Sequence, residues 1–137
     1  MFQVASMESP SRRGDTESVP TRILIVDDNT DFLRAARQLL ERDGVAVAAV
    51  ATNADEAMGL ARDLEPDVVL VDIDLGDESG FDLARRLHNA FNGQTRVLMI
   101  STHAEDDFAD LIGQSPALGF ISKSSLSAVA IRDMLSG

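Results

Sequence analysis

From Arg22 onward, short continuous apolar runs alternate with stretches in which apolar residues recur every three or four positions. The runs are Ile23–Val26, Val45–Ala51, Val68–Val71, Val97–Ile100 and Leu118–Ser122. Each is brief, rich in β-branched residues and bounded by polar or turn-forming residues, which predicts a strand buried on both faces. The periodic stretches predict helices. Phe32, Leu33, Ala36, Leu39 and Leu40 form one apolar face, with Asn29 or Thr30 as N-cap and Gly44 closing the C-terminal end. Ala57, Met58, Ala61 and Leu64 form the next, behind a capping-box-like Thr52-Asn53 followed by Asp55-Glu56. Ala84, Leu87 and Phe91 mark a third helix, ended by Asn92-Gly93. An acidic, weakly amphipathic fourth is predicted over about 104–112, and Leu126, Val129, Ala130 and Met134 mark the last. The stretch Gly76-Asp77-Glu78-Ser79-Gly80 has loop composition. Residues 1–20 carry Ser, Pro, Arg and acids without apolar period and are predicted to be disordered. Five strands alternating with five helices predict an α/β domain with a parallel sheet over residues 21–137.

A parallel α/β sheet places ligand sites beyond the carboxyl ends of its strands. Those ends read Asp27-Asp28, Asp72 with Asp74 two residues on, Ser101-Thr102, and Phe120-Ile121-Ser122-Lys123. Taken singly these are ordinary residues: an Asp after a strand is commonly a cap, and a lone Phe is commonly core. Together they bring carboxylates, a hydroxyl and an ammonium to one edge. Crowded carboxylates repel one another unless a cation compensates, and a hard divalent ion such as Mg²⁺ suits oxygen ligands. A hydroxyl and a lysine opposite the ion suit phosphoryl oxygens, so the constellation fits an aspartate that accepts a phosphoryl group.

Composition sharpens this. The 137 residues carry 12 basic and 23 acidic side chains, a net charge of -11, which argues against a nucleic-acid backbone as direct partner. Zero cysteines exclude disulfides and thiolate zinc sites and fit a reducing compartment. No apolar run approaches membrane-span length, and the expected setting is the cytoplasm. Of the basic residues, one alone is lysine, Lys123, and it falls at the predicted site.

The motifs ILIVDDN, VLVDIDLGDESG, VLMIST and GFISK, in this order over about 21–136, resemble the receiver domain of bacterial two-component response regulators. The resemblance implies a flavodoxin-like, doubly wound (βα)5 fold with strand order 2-1-3-4-5. It implies Asp72 as phosphoacceptor from a phosphohistidine on a sensor kinase or phosphotransfer protein. It further implies Mg²⁺ held by Asp28, Asp72 and the main-chain carbonyl of Asp74, with Asp27 in indirect support. Ser101 and Lys123 would hold phosphoryl oxygens, Gly80 would be the family glycine of the following loop, and Phe120 the switching aromatic. The face of helix 4, strand 5 and helix 5 would then bind a downstream protein, and such a face can also serve a homodimer.

The chain departs from the family pattern at several positions. Ser124 replaces the usual proline after the lysine, which predicts a trans Lys123–Ser124 peptide. Gly76 stands where proline is common, predicting a looser loop. Thr102 replaces a smaller residue and is expected to restrict access of water to the phosphoryl group. His88 reads as a helix-surface residue, and His103 as a residue of the pocket rim. Fourteen residues follow Lys123, which predicts a last helix and no output domain in this stretch, as in a stand-alone receiver or a part of a longer protein. Two other readings compete: a pseudo-receiver that binds partners without phosphorylation, and a phosphohydrolase resembling the haloacid-dehalogenase group. The second rests on Asp72-Ile73-Asp74, a signature which that group carries on its first strand rather than the third.

Overall fold

The computed structural model describes residues 21–103 and 105–136; the stretch predicted to be disordered, 1–20, lies outside them. Five strands form one parallel sheet: β1 (Arg22–Val26), β2 (Ala46–Ala51), β3 (Val68–Asp72), β4 (Arg96–Ser101) and β5 (Gly119–Ser122). Their order is β2-β1-β3-β4-β5, the 2-1-3-4-5 pattern. The helices are α1 (Thr30–Arg42), α2 (Ala54–Leu64), α3 (Gly80–Ala90), α4 (Ala109–Gln114) and α5 (Ala128–Ser136). No helix among the described residues is long and apolar enough to cross a membrane.

Strand residues alternate between two apolar layers because successive side chains point to opposite faces. Leu24, Val26, Val69, Val71, Val97 and Met99 pack with α2 and α3. Ile23, Ile25, Val68, Leu70, Leu98 and Ile100 pack with α1 and α5. With both faces covered, no alternation of polar residues is left in the sequence, hence the continuous apolar runs.

The predicted caps are in place. Asn29 accepts a hydrogen bond from the Phe32 N–H at 3.0 Å, and Asn53 accepts one from the Glu56 N–H at 2.8 Å. Glu56 accepts from the Thr52 N–H, one residue ahead of the cap.

Three expectations need correction. The fourth helical stretch is not one helix: a 3-10 turn, Glu105–Phe108, precedes a six-residue α4 in which no side chain is buried. Its first residue has no side-chain cap, and too little apolar surface faces the core to extend it. The last helix begins after Leu126, with Ser127 Oγ accepting from the Ala130 N–H. Its buried positions are therefore Ala128 and Ile131, and Val129, predicted as core, is 64% exposed. The stretch expected as a loose loop contains a small antiparallel hairpin, Asp74–Leu75 against Glu78–Ser79. Gly76 turns it at φ +73°, the left-handed region that glycine adopts without strain.

Candidate functional site

The sheet register builds the site. Val26 pairs with Val71, Val71 with Met99, and Met99 with Phe120, so four strands end nearly in line. The residues that follow leave the apolar layers at one edge. A single cavity of about 250 Å³ there is lined by Asp27, Asp28, Asp72, Asp74, Ser101 and Lys123, with Asn29, Gly76, Thr102 and His103. All six residues predicted for the acceptor, the metal and the phosphoryl oxygens thus meet. Phe120 does not line the cavity; its ring is buried in the apolar layer of α2 and α3. His103 is at the rim and His88 is exposed on α3.

Three residues are the buried polar ones among those described, and all belong here: Asp27, Asp72 and Ser101. Burying polar groups is costly unless they are paired, so the fold supplies partners. Asp27 Oδ1 accepts the Asn29 N–H at 2.9 Å, which couples this carboxylate to the cap of α1. Asp72 Oδ1 accepts the Asp74 N–H at 3.2 Å, and Asp72 Oδ2 accepts from Lys123 Nζ at 3.2 Å. Lys123 Nζ also lies 2.5 Å from Asp27 Oδ2. That approach is an ion contact, and Asp27 Oδ2 receives no hydrogen bond of regular geometry although it is buried. Ser101 Oγ accepts the His103 N–H at 3.0 Å and lies 3.4 Å from His103 Nδ1. The peptide bonds here are trans, that between Lys123 and Ser124 included, and Lys123–Ser125 forms a 3-10 turn.

Carboxylate oxygens of Asp27, Asp28 and Asp72 lie within 4.8 Å of one another. Burial, followed by the charge of Asp27, pushes the Asp72 carboxyl up from 3.8 to about 6; the Asp74 N–H and Lys123 oppose the rise. Burial works against the Lys123 ammonium, but Asp27 and Asp72 together outweigh it and its pKa rises. The ammonium thus compensates part of the acidic cluster. One ammonium faces three clustered carboxylates, and this all-oxygen donor set fits a further, hard cation.

Gly80 has a steric reason. A Cβ built there would lie 2.0 Å from the Asp72 carbonyl oxygen, so α3 starts against the backbone of Asp72 itself. The Gly80 N–H donates to the Ile73 carbonyl at 2.8 Å. Two residues at or near the site were not legible as such in the sequence. Phe32 reads as part of the apolar face of α1, yet its ring centroid is 4.4 Å from Lys123 Nζ. Glu78 reads as loop, yet its carboxylate accepts the Ala54 N–H at 2.9 Å and ties the hairpin to the start of α2. Neither has a local signal, because each contact joins segments far apart in the chain.

Comparison with known proteins agrees with this geometry. The family model for the response regulator receiver domain matches residues 23–135. The nitrate/nitrite response regulator protein NarP of Escherichia coli is 33% identical over 123 residues, 88% of this chain and 56% of that protein. The response regulator GacA of Pseudomonas viridiflava is 33% identical over 104 residues, 74% of this chain and 48% of that protein. This chain thus spans about half the length of these relatives. Among solved structures, a two-component response regulator of the LuxR family from Aurantimonas superposes with a TM-score of 0.76 at 31% identity, covering 86% of this chain and 84% of that one. A CheY-like receiver domain protein from Methanospirillum hungatei gives 0.72 at 26% identity, covering 86% and 93%. With the fold, the strand-end carboxylates and the lysine in the expected places, the chain belongs to the response regulator receiver domain family.

Proposed function

We propose that residues 21–137 act as the phosphoacceptor receiver of a two-component phosphorelay, working in the cytoplasm and switched by Mg²⁺-dependent phosphorylation of Asp72. The observation that carries this reading is the convergence of Asp27, Asp28, Asp72, Ser101 and Lys123 on one cavity at the carboxyl edge of the sheet. The donor is a phosphohistidine on a sensor kinase or phosphotransfer protein. An Asp72 carboxylate oxygen attacks phosphorus, the bond from phosphorus to imidazole nitrogen breaks, and the electron pair leaves with the imidazole. Asp28, Asp72 and the Asp74 carbonyl would hold Mg²⁺, with Asp27 in support, and the ion supplies charge neutralisation at the transferring group. Lys123 moves from the carboxylates to a phosphoryl oxygen. Ser101 leaves its contacts with His103 and donates its hydroxyl to another.

The output is a change of surface. As Ser101 moves inward, Phe120 follows, and the face of α4, β5 and α5 changes the protein it binds. Leu111 in α4, Leu118 just ahead of β5 and Val129 in α5 support that assignment: they are the exposed large apolar side chains among the described residues, at 51%, 49% and 64%.

Incubation with a small acyl phosphate donor and Mg²⁺ tests the reading by mass. One phosphoryl group is gained by the wild type and none by Asp72→Asn. No gain by the wild type favours the pseudo-receiver, and turnover of many phosphate esters per molecule favours the hydrolase.

A further inference from the structure

The lysine of this site sits on an unusual support. Lys123 follows β5 in a 3-10 turn, and Ser124 supplies none of the stiffness of a proline. Its stem is long, yet its side chain is only 12% exposed. Two carboxylates draw it inward, Asp27 at 2.5 Å and Asp72 at 3.2 Å. The third contact is the Phe32 ring, with the ammonium 4.4 Å from its centroid. A ring face is electron-rich and attracts a cation at this distance. The ring's place is fixed locally. Phe32 is in the first turn of α1, its own N–H is the one Asn29 caps, and the Asn29 N–H is bound to Asp27. A stretch of six residues, 27–32, therefore supplies both the carboxylate and the ring that hold the ammonium.

The two contacts differ in kind. Asp27 binds the ammonium at one point and favours keeping it there. A ring face is a broad, non-directional surface across which the nitrogen can shift from the carboxylates to an incoming phosphoryl oxygen without entering bulk water. From this we infer that Phe32 is a positioning residue: its ring face keeps the Lys123 ammonium inside the pocket and so sets the rate at which Asp72 is phosphorylated. The contact stands on the geometry alone, and the effect on rate rests on the phosphoacceptor reading.

A single lysine makes the contact directly observable. In protein labelled with [¹³C]lysine, the ε-methylene of Lys123 gives one resonance. In the wild type it is displaced upfield from the free-lysine position by the ring current. Phe32→Leu keeps apolar volume but loses the displacement; Phe32→Tyr keeps both. With a small acyl phosphate donor and Mg²⁺, Phe32→Leu is phosphorylated about three- to tenfold more slowly, and Phe32→Tyr restores the rate to within about twofold. A wild-type resonance at the free-lysine position overturns the inference, as does a Phe32→Leu rate equal to wild type. If Phe32→Leu fails to fold, the wild-type and Phe32→Tyr resonances still decide the contact. A wild type that gains no phosphoryl group defeats the phosphoacceptor reading and with it the effect on rate, while the resonance still reports the ring over the ammonium.

Discussion

At the scale of single residues, Asp72 carries the largest energetic consequence. Burial and Asp27 lift its carboxyl to about 6, so the native protein retains a proton between about pH 4 and 6 that the unfolded chain has released. A raised acid of this kind favours the fold at low pH, and that contribution is lost as pH rises through 6. Above this, the metal-free protein carries an ionised acceptor that opposes folding. Asp72→Asn removes the penalty. In chelator at pH 7.5 the variant should be more stable than wild type by about 1–3 kcal/mol, a gap that closes below pH 4. Urea titrations at both pH values check this, and equal stabilities at pH 7.5 contradict it. Gly80 acts sterically at the same acceptor. Gly80→Ala puts a methyl group against the Asp72 carbonyl, and should cost about 1–3 kcal/mol while sharply reducing phosphorylation. A Gly80→Ala protein with wild-type stability and phosphorylation rate would show that the contact relaxes without cost.

Elements were legible in the sequence where tertiary packing and local pattern agree, and not where they diverge. The runs Ile23–Val26 and Val68–Val71 are central strands covered on both faces, and nothing polar interrupts them. The caps Asn29 and Asn53 act over three residues and so declare themselves locally. The register of α5 did not, because its apolar residues fit two faces. Ser127, by capping the helix, decides for Ile131 and leaves Val129 to solvent. Substitution separates the two faces: Val129→Asp should change stability by less than about 0.5 kcal/mol, whereas Ile131→Asp should cost more than about 3 kcal/mol. Thermal unfolding of both variants reads the difference, and comparable losses would refute this register. The hairpin at Gly76-Asp77 escaped for another reason. Two-residue strands carry no periodicity, and it is held to α2 through Glu78, across 24 residues of chain.

Across the whole molecule, the site is a product of strand register rather than of any local motif. Asp27, Asp72, Ser101 and Lys123 are distant in sequence and meet because parallel strands in the order 2-1-3-4-5 end together. Their presence at the ends of apolar runs was readable in advance; their distances, the ring beneath the ammonium and the hydroxyl held by His103 belong to the tertiary structure. The acidic edge also links the site to global stability. A cation that binds only the native pocket stabilises the fold, by about 2.7 kcal/mol at a hundredfold excess over Kd. Mg²⁺ should therefore raise the melting temperature, and Asp28→Ala should largely abolish the rise. Calorimetry in chelator and in Mg²⁺ tests it, and an undiminished rise in Asp28→Ala would place the ion elsewhere. The central claim is that a phosphoryl group is carried by Asp72, and borohydride trapping tests it most directly. Reduction of the phosphorylated protein converts an aspartyl phosphate to homoserine, which mass spectrometry locates within the peptide Asp63–Arg85. Homoserine at position 72 is the predicted result; homoserine at Asp74, at Asp27 or Asp28, or at no position would contradict it.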